Sequence, residues 1–128
     1  MTFESQRSVV SIDQFKNWLA TQDPANITFV GKPLGDLSDL SKRDSTDTIV
    51  TFCPIKAGNI CTGACTVSHG SDLCISAPGT NCLFATADVA FCDGGNCDGS
   101  CNSFSSCGTV LDNGFCDTPG TSSIAVAA

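Results

Sequence analysis

Two short cysteine motifs are the residues of this sequence most suited to chemistry. Cys61 and Cys65 lie in NICTGAC, and Cys97 and Cys101 lie in GGNCDGSC, each pair as Cys-x-Gly-x-Cys. Such pairs could bind zinc, act as a redox dithiol or be halves of disulfides. A zinc site built from these four cysteines would leave the other six unexplained, and His69 is the only histidine that could add a ligand. A redox role is disfavoured because the Cys-x-x-Cys motif of redox proteins does not occur. The spacing therefore favours disulfides, and we expect neither a bound metal nor a cofactor.

The complete cysteine set predicts a disulfide framework. The count is even, so every thiol can pair, and the set divides into two blocks of five that both have the three-residue gap in second place. Because five is odd, full pairing requires at least one disulfide between the blocks, while the connectivity itself stays open. The ten positions are Cys53, Cys61, Cys65, Cys74, Cys82, Cys92, Cys97, Cys101, Cys107 and Cys116.

Composition and cysteine content together predict a folded, extracellular protein. Hydrophobic residues make up 41% of the 128 residues and charged residues 15%, which is typical of folded proteins and not of disordered ones. Many disulfides are a feature of secreted chains. No apolar run is long enough for a transmembrane helix, and no signal peptide is visible, so we expect a mature secreted chain whose signal peptide has been replaced by Met1.

The charge distribution argues against nucleic-acid and anionic-membrane partners. All six basic residues lie within residues 1–56, together with seven acidic ones, whereas residues 57–128 have six Asp and no Lys or Arg. Binding to phosphates requires clustered positive charge, and anionic lipids select for it as well.

The first 52 residues contain no cysteine and form a separate N-terminal segment in this interpretation, followed by a disulfide-rich β domain over 53–128. A helix is predicted over about 11–21, with Ser11 as N-cap, an apolar face through Ile12, Phe15 and Leu19, and Trp18 beside it. A strand is predicted over about 26–31, and a polar loop follows it.

Two modification signals lie in this segment. Lys42-Arg43 is a dibasic pair of the kind that processing proteases cut, so residues 1–43 could be a propeptide. The alternative is that the pair stays uncut in an exposed loop. Asn26-Ile27-Thr28 is an N-glycosylation sequon, which suits a secreted surface.

Short β-type segments separated by Gly, Pro and Asn-Gly occupy the cysteine-rich part. We therefore predict an α+β, mainly β fold: a small disulfide-stapled antiparallel sheet or barrel with one N-terminal helix.

Other polar residues were considered for catalysis and for metal binding. His69 lies among Ser68, Ser71 and Asp72, but triad members normally converge from distant segments, so we interpret it as an exposed loop histidine. Carboxylates such as Asp88 and Asp112 could form a catalytic pair, but Asp commonly stabilises turns, and we interpret these residues in that way. The segment DGGNCDGS could wrap calcium through Asp93, Asn96 and Asp98, but it lacks a full calcium loop, and we interpret it as a turn. No catalytic residue is predicted, and we expect no enzyme.

With its cysteine array over 53–116 and Lys42-Arg43 before the first cysteine, the chain resembles the small secreted cysteine-rich proteins of filamentous fungi, including the elicitor-like ones of Trichoderma. The resemblance implies a non-enzymatic effector or elicitor that acts at plant or fungal surfaces, modulates host defence, and has a host receptor or wall component as partner. The alternatives are a structural or glycan-binding protein of the producer's own wall, and a small hydrolase or hydrolase inhibitor.

The apolar helix face and the tail IAVAA also suggest a homodimer.

Overall fold

The computed structural model describes residues 10–31, 48–70 and 74–126, with only the backbone of Gly70. These residues form a mainly β fold with one α-helix and five disulfides, which confirms the predicted fold class. None of the helices in these three ranges is long and apolar enough to span a membrane. The elements are α1 (Ile12–Ala20), β1 (Ile27–Gly31), β2 (Thr48–Cys53), β3 (Ile55–Ala57), β4 (Ile60–Thr62), β5 (Cys65–Gly70), β6 (Cys74–Ala85), β7 (Val89–Cys92), β8 (Cys101–Ser103) and β9 (Cys116–Val126).

Seven of these strands form one sheet in the order β1-β5-β2-β6-β9-β7-β8, and β3 and β4 form a separate hairpin. All pairs in the large sheet are antiparallel except β1 with β5, which run parallel. The sheet is therefore mixed, whereas the sequence predicted an antiparallel one. The reason lies in the topology, because β5 lies between β1 and β2, so these consecutive strands are not hairpin neighbours.

The long strands β6 and β9 are the centre of the sheet, and each is interrupted by a Pro-Gly-Thr sequence. Thr80 lies directly opposite Thr121, and the register shifts on both sides of this pair. Residues 77–79 of β6 bulge opposite one residue of β9, and residues 118–120 of β9 bulge opposite one residue of β6. Gly79 and Gly120 have φ of 75° and 82°, a conformation that favours glycine. The two bulges allow the strands to bend without ending.

Helix α1 begins and packs as its sequence predicts. The Ser11 hydroxyl accepts a hydrogen bond from the Gln14 backbone N–H at 3.0 Å, which caps the first turn. Phe15 and Trp18 are buried, and Trp18 contacts Phe84 and Phe115 edge-on at centroid distances of 5.4 and 5.7 Å. The apolar face of the helix therefore contributes to the same core as the cysteine-bearing strands.

The β3–β4 hairpin is fastened to the large sheet on one side. Cys61 is buried and bonded to Cys82 of β6, and the Lys56 ammonium lies 3.5 Å from the Asp117 carboxylate of β9. Ile55 and Ile60 are about half exposed, at 49% and 53%. Because side chains alternate along a strand, the hairpin presents these two residues on its outer side.

Candidate functional site

All ten cysteines form disulfides, and no cysteine is free. The two Cys-x-Gly-x-Cys motifs do not close on themselves; each motif supplies halves of two different disulfides. The described residues also contain no group of three or more His, Cys, Asp or Glu side chains placed to hold a metal ion. The motifs are therefore structural staples. The pairs are Cys53–Cys65, Cys61–Cys82, Cys74–Cys97, Cys92–Cys101 and Cys107–Cys116.

The connectivity confirms that the two cysteine blocks are joined. Cys74–Cys97 is the disulfide that crosses between them, and the other four stay within a block. In both blocks the first cysteine bonds to the third, as Cys53–Cys65 and Cys92–Cys101. The remaining pairing differs between the blocks, so the similarity in spacing extends to one disulfide in each.

His69 is not an exposed loop residue, and that interpretation was wrong. It lies in β5 opposite Ile49 of β2, and only 2% of its surface is exposed. Neighbouring residues of a strand point to opposite faces, so Ser68 and His69 lie on different sides of the sheet and cannot form a Ser–His pair. Ser71 and Asp72 are outside the described residues.

The segment considered for calcium forms a tight turn between β7 and β8. Asp93 Oδ1 accepts a hydrogen bond from the Ser100 backbone N–H at 2.8 Å, and the Gly94 N–H donates to the Asp98 carbonyl at 3.0 Å. The Cys97 N–H donates to the Ser123 hydroxyl oxygen at 2.7 Å. These bonds use Asp93 and Asp98 to hold the backbone, as the turn interpretation predicts.

A carboxylate–hydroxyl cluster links β7 and β8 to the 3-10 turn at Phe104–Ser106. Both carboxylate oxygens of Asp88 accept from the Ser103 hydroxyl at 2.9 Å, and Asp88 also accepts from the Ser105 backbone N–H at 2.8 Å and its hydroxyl at 3.0 Å. Because the carboxylate accepts both hydroxyl protons and a backbone N–H, the cluster acts as a cap for the turn. This role of Asp88 has no local sequence signal, because its partners Ser103 and Ser105 follow it by 15 and 17 residues.

A groove of about 420 Å³ on the sheet is a candidate for binding. Its lining residues come from β1, β2 and β5 and from the first half of β6, the half that contains the bulge of that strand. We call it the hydroxyl groove, because three hydroxyl side chains line it together with apolar ones, and none of its eight described lining residues is charged. They are Thr66, Ser68, Ser76, Val30, Phe52, Ile75, Pro78 and Cys74.

Sequence reasoning did not find this groove, since its residues come from four strands that are not consecutive. One signal was present in the Pro-Gly-Thr sequence repeated at residues 78–80 and 119–121. This sequence predicts a turn. In the structure it forms a bulge within a continuous strand instead, because the partner strand continues past it.

The remaining predicted sites are placed as follows. Asn26 is exposed, at the end of a 3-10 turn directly before β1. Lys42 and Arg43 lie outside the described residues. Of the surfaces behind the predicted homodimer, the helix face is buried, and so are Ile124 and Val126 in the tail. The homodimer itself stays a prediction.

Comparison of the chain with protein-family models, with curated proteins and with solved structures finds no match.

Proposed function

We propose that the protein is a secreted, non-enzymatic recognition protein, an elicitor-like effector that acts at a plant or fungal surface. The observation that carries the proposal is the disulfide framework, which reaches every described strand except β1 and β3. Such a framework forms and persists outside the reducing cytosol. It stabilises a small domain against unfolding, and thus against proteases in an extracellular setting.

The hydroxyl groove supports recognition as the mode of action. It combines an apolar wall formed by Phe52, Ile75 and Pro78 with the hydroxyls of Thr66 and Ser68, a composition typical of ligand sites that hold neutral molecules. The Cys74–Cys97 disulfide at its margin limits the conformational freedom that binding would otherwise remove. The groove is therefore where we place contact with a host receptor or wall component.

A second candidate function is binding to glycans of the producer's own wall. The observation that favours it is the neutral, hydroxyl-lined character of the same groove, because hydroxyl side chains donate to and accept from sugar hydroxyls. The two candidates differ in their target, so one experiment separates them.

The test is to infiltrate the oxidised protein into leaf tissue and record the oxidative burst, and to measure its retention on chitin and on β-glucan. Ser76→Arg places a charged side chain on an exposed groove position, and Ser106→Arg is the matched control at an exposed serine outside the groove. The elicitor proposal expects a response to wild type and Ser106→Arg that Ser76→Arg loses. Retention on a glycan without a leaf response favours the wall protein, and neither response nor retention overturns both.

A further inference from the structure

Strand β1 lies at one edge of the large sheet, in the part of the chain that the structure describes. Among the described residues it pairs with β5 on one side alone, at the end of the strand order. Phe29 and Val30 are 50% and 49% exposed, and the strand ITFVG contains no charge and no proline. Edge strands usually carry a charged residue or a proline, because their free row of N–H and C=O groups can otherwise pair with another chain. The acidic excess of the chain lies in residues 57–128, so copies that meet at the uncharged strand β1 avoid the strongest repulsion.

The glycosylation sequon lies at the beginning of this same strand. Asn26 ends the 3-10 turn that leads into β1 and is exposed, and Thr28 is exposed within the strand. Between them Ile27 is buried at 8% exposure, so the strand is anchored inward while both sequon residues face outward. A bulky glycan is accommodated there without disturbing the core.

We propose that Asn26 carries an N-linked oligosaccharide and that this glycan shields the β1 edge from pairing with a second copy of the chain. In the transfer, the bond between the C1 atom of the first sugar and a diphosphate oxygen of a lipid-linked oligosaccharide breaks. A bond from that C1 atom to Nδ2 of Asn26 forms, Nδ2 loses one proton, and the lipid diphosphate leaves.

The dimensions fit this role. At about 3.3 Å per residue, a five-residue strand is only about 16 Å long, so a branched oligosaccharide fixed at the residue directly before it covers much of the edge. The glycan thus does what charged or proline residues do in other edge strands.

The experiment secretes the protein from a glycosylating eukaryotic host with the host's own signal peptide. It therefore rests on export alone, and its outcome is independent of any leaf response or glycan retention. Intact mass shows a glycan on wild type and on Thr28→Ser, which keeps the sequon, and none on Asn26→Gln or Thr28→Ala. Wild type with an unmodified Asn26 overturns the modification.

Light scattering over a concentration series tests the shielding. Because the helix face and the tail that suggested a homodimer are buried, we expect the glycosylated protein to be monomeric instead. Asn26→Gln, or wild type whose glycan is removed enzymatically after folding, should associate at the same concentrations. Asn26→Gln/Phe29→Lys should return to monomer, because it places a charge on the edge strand at an exposed residue outside the groove. Monomeric Asn26→Gln and deglycosylated protein would show that the edge is covered in another way, and would overturn the shielding.

Discussion

Cys74 and Cys97 form the one disulfide that joins the two five-cysteine blocks, at a sequence separation of 23. It connects β6 to the loop between β7 and β8, where the Cys97 N–H is also held by the Ser123 hydroxyl. The disulfide therefore ties the first residue of β6 to a loop that is also hydrogen-bonded to β9.

Replacing both cysteines, as Cys74→Ala/Cys97→Ala, should lower the free energy of unfolding by about 3.4 kcal/mol, because a loop of that length regains its freedom in the unfolded chain. Urea unfolding measures the change. Intact mass before and after reduction should rise by about 8 Da for the variant and about 10 Da for wild type. An unchanged urea midpoint would mean that the bond adds nothing to stability.

Trp18 is the only tryptophan in the chain, and it ties α1 to Phe84 and Phe115. Trp18→Ala should cost about 3–5 kcal/mol, the usual range for removing a large aromatic side chain from a core. Phe29→Ala is the matched control, since Phe29 is half exposed and its loss should cost far less. Urea unfolding followed by circular dichroism compares them, and equal losses would contradict the packing of the helix.

The bulges in β6 and β9 should depend on glycine at two positions. A Cβ at Gly79 or Gly120 would meet nothing within 4 Å, so the cost of alanine there comes from the positive φ alone. We expect each Gly→Ala variant to lose about 1–2 kcal/mol. Gly108→Ala is the control, because its Cβ also meets nothing and its φ lies outside the left-handed range; it should be neutral or gain about 0.4–1 kcal/mol. Thermal unfolding would contradict the argument if all three behaved alike.

Cleavage after the dibasic pair Lys42-Arg43 should not release the N-terminal segment. Residues 1–43 contain no cysteine, so no disulfide retains them, but α1 is packed into the core and β1 is paired with β5 over five residues. Native mass spectrometry of the cut protein should show one particle, and denaturing mass spectrometry without reductant should show two chains. Two particles under native conditions would mean that the helix and strand do not hold on their own.

Local signals predicted the elements that depend on local chemistry. Ser11, Phe15 and Trp18 defined the helix before any partner was known, because capping and the 3.6-residue period act within a few residues. The even cysteine count predicted full pairing and a link between the blocks. These inferences required no knowledge of which strands are neighbours.

The remaining features depend on contacts between distant residues. Gly70 and the serines around His69 suggested a loop, yet His69 is buried because β1 and β2 flank its strand. Cysteine spacing does not encode connectivity, and Pro-Gly-Thr favours a turn unless an opposing strand continues past it. The hydroxyl groove follows from these pairings, so it could not be predicted before them.

The contact between Trp18 and Phe115 also orders events during synthesis. Trp18 precedes Phe115 by 97 positions, and nine of the ten cysteines lie between them. The apolar face of the helix therefore lacks this partner until those nine cysteines have been added to the chain. Four of the five disulfides can thus form before α1 has its complete set of core partners, and only Cys107–Cys116 needs a cysteine that follows Phe115.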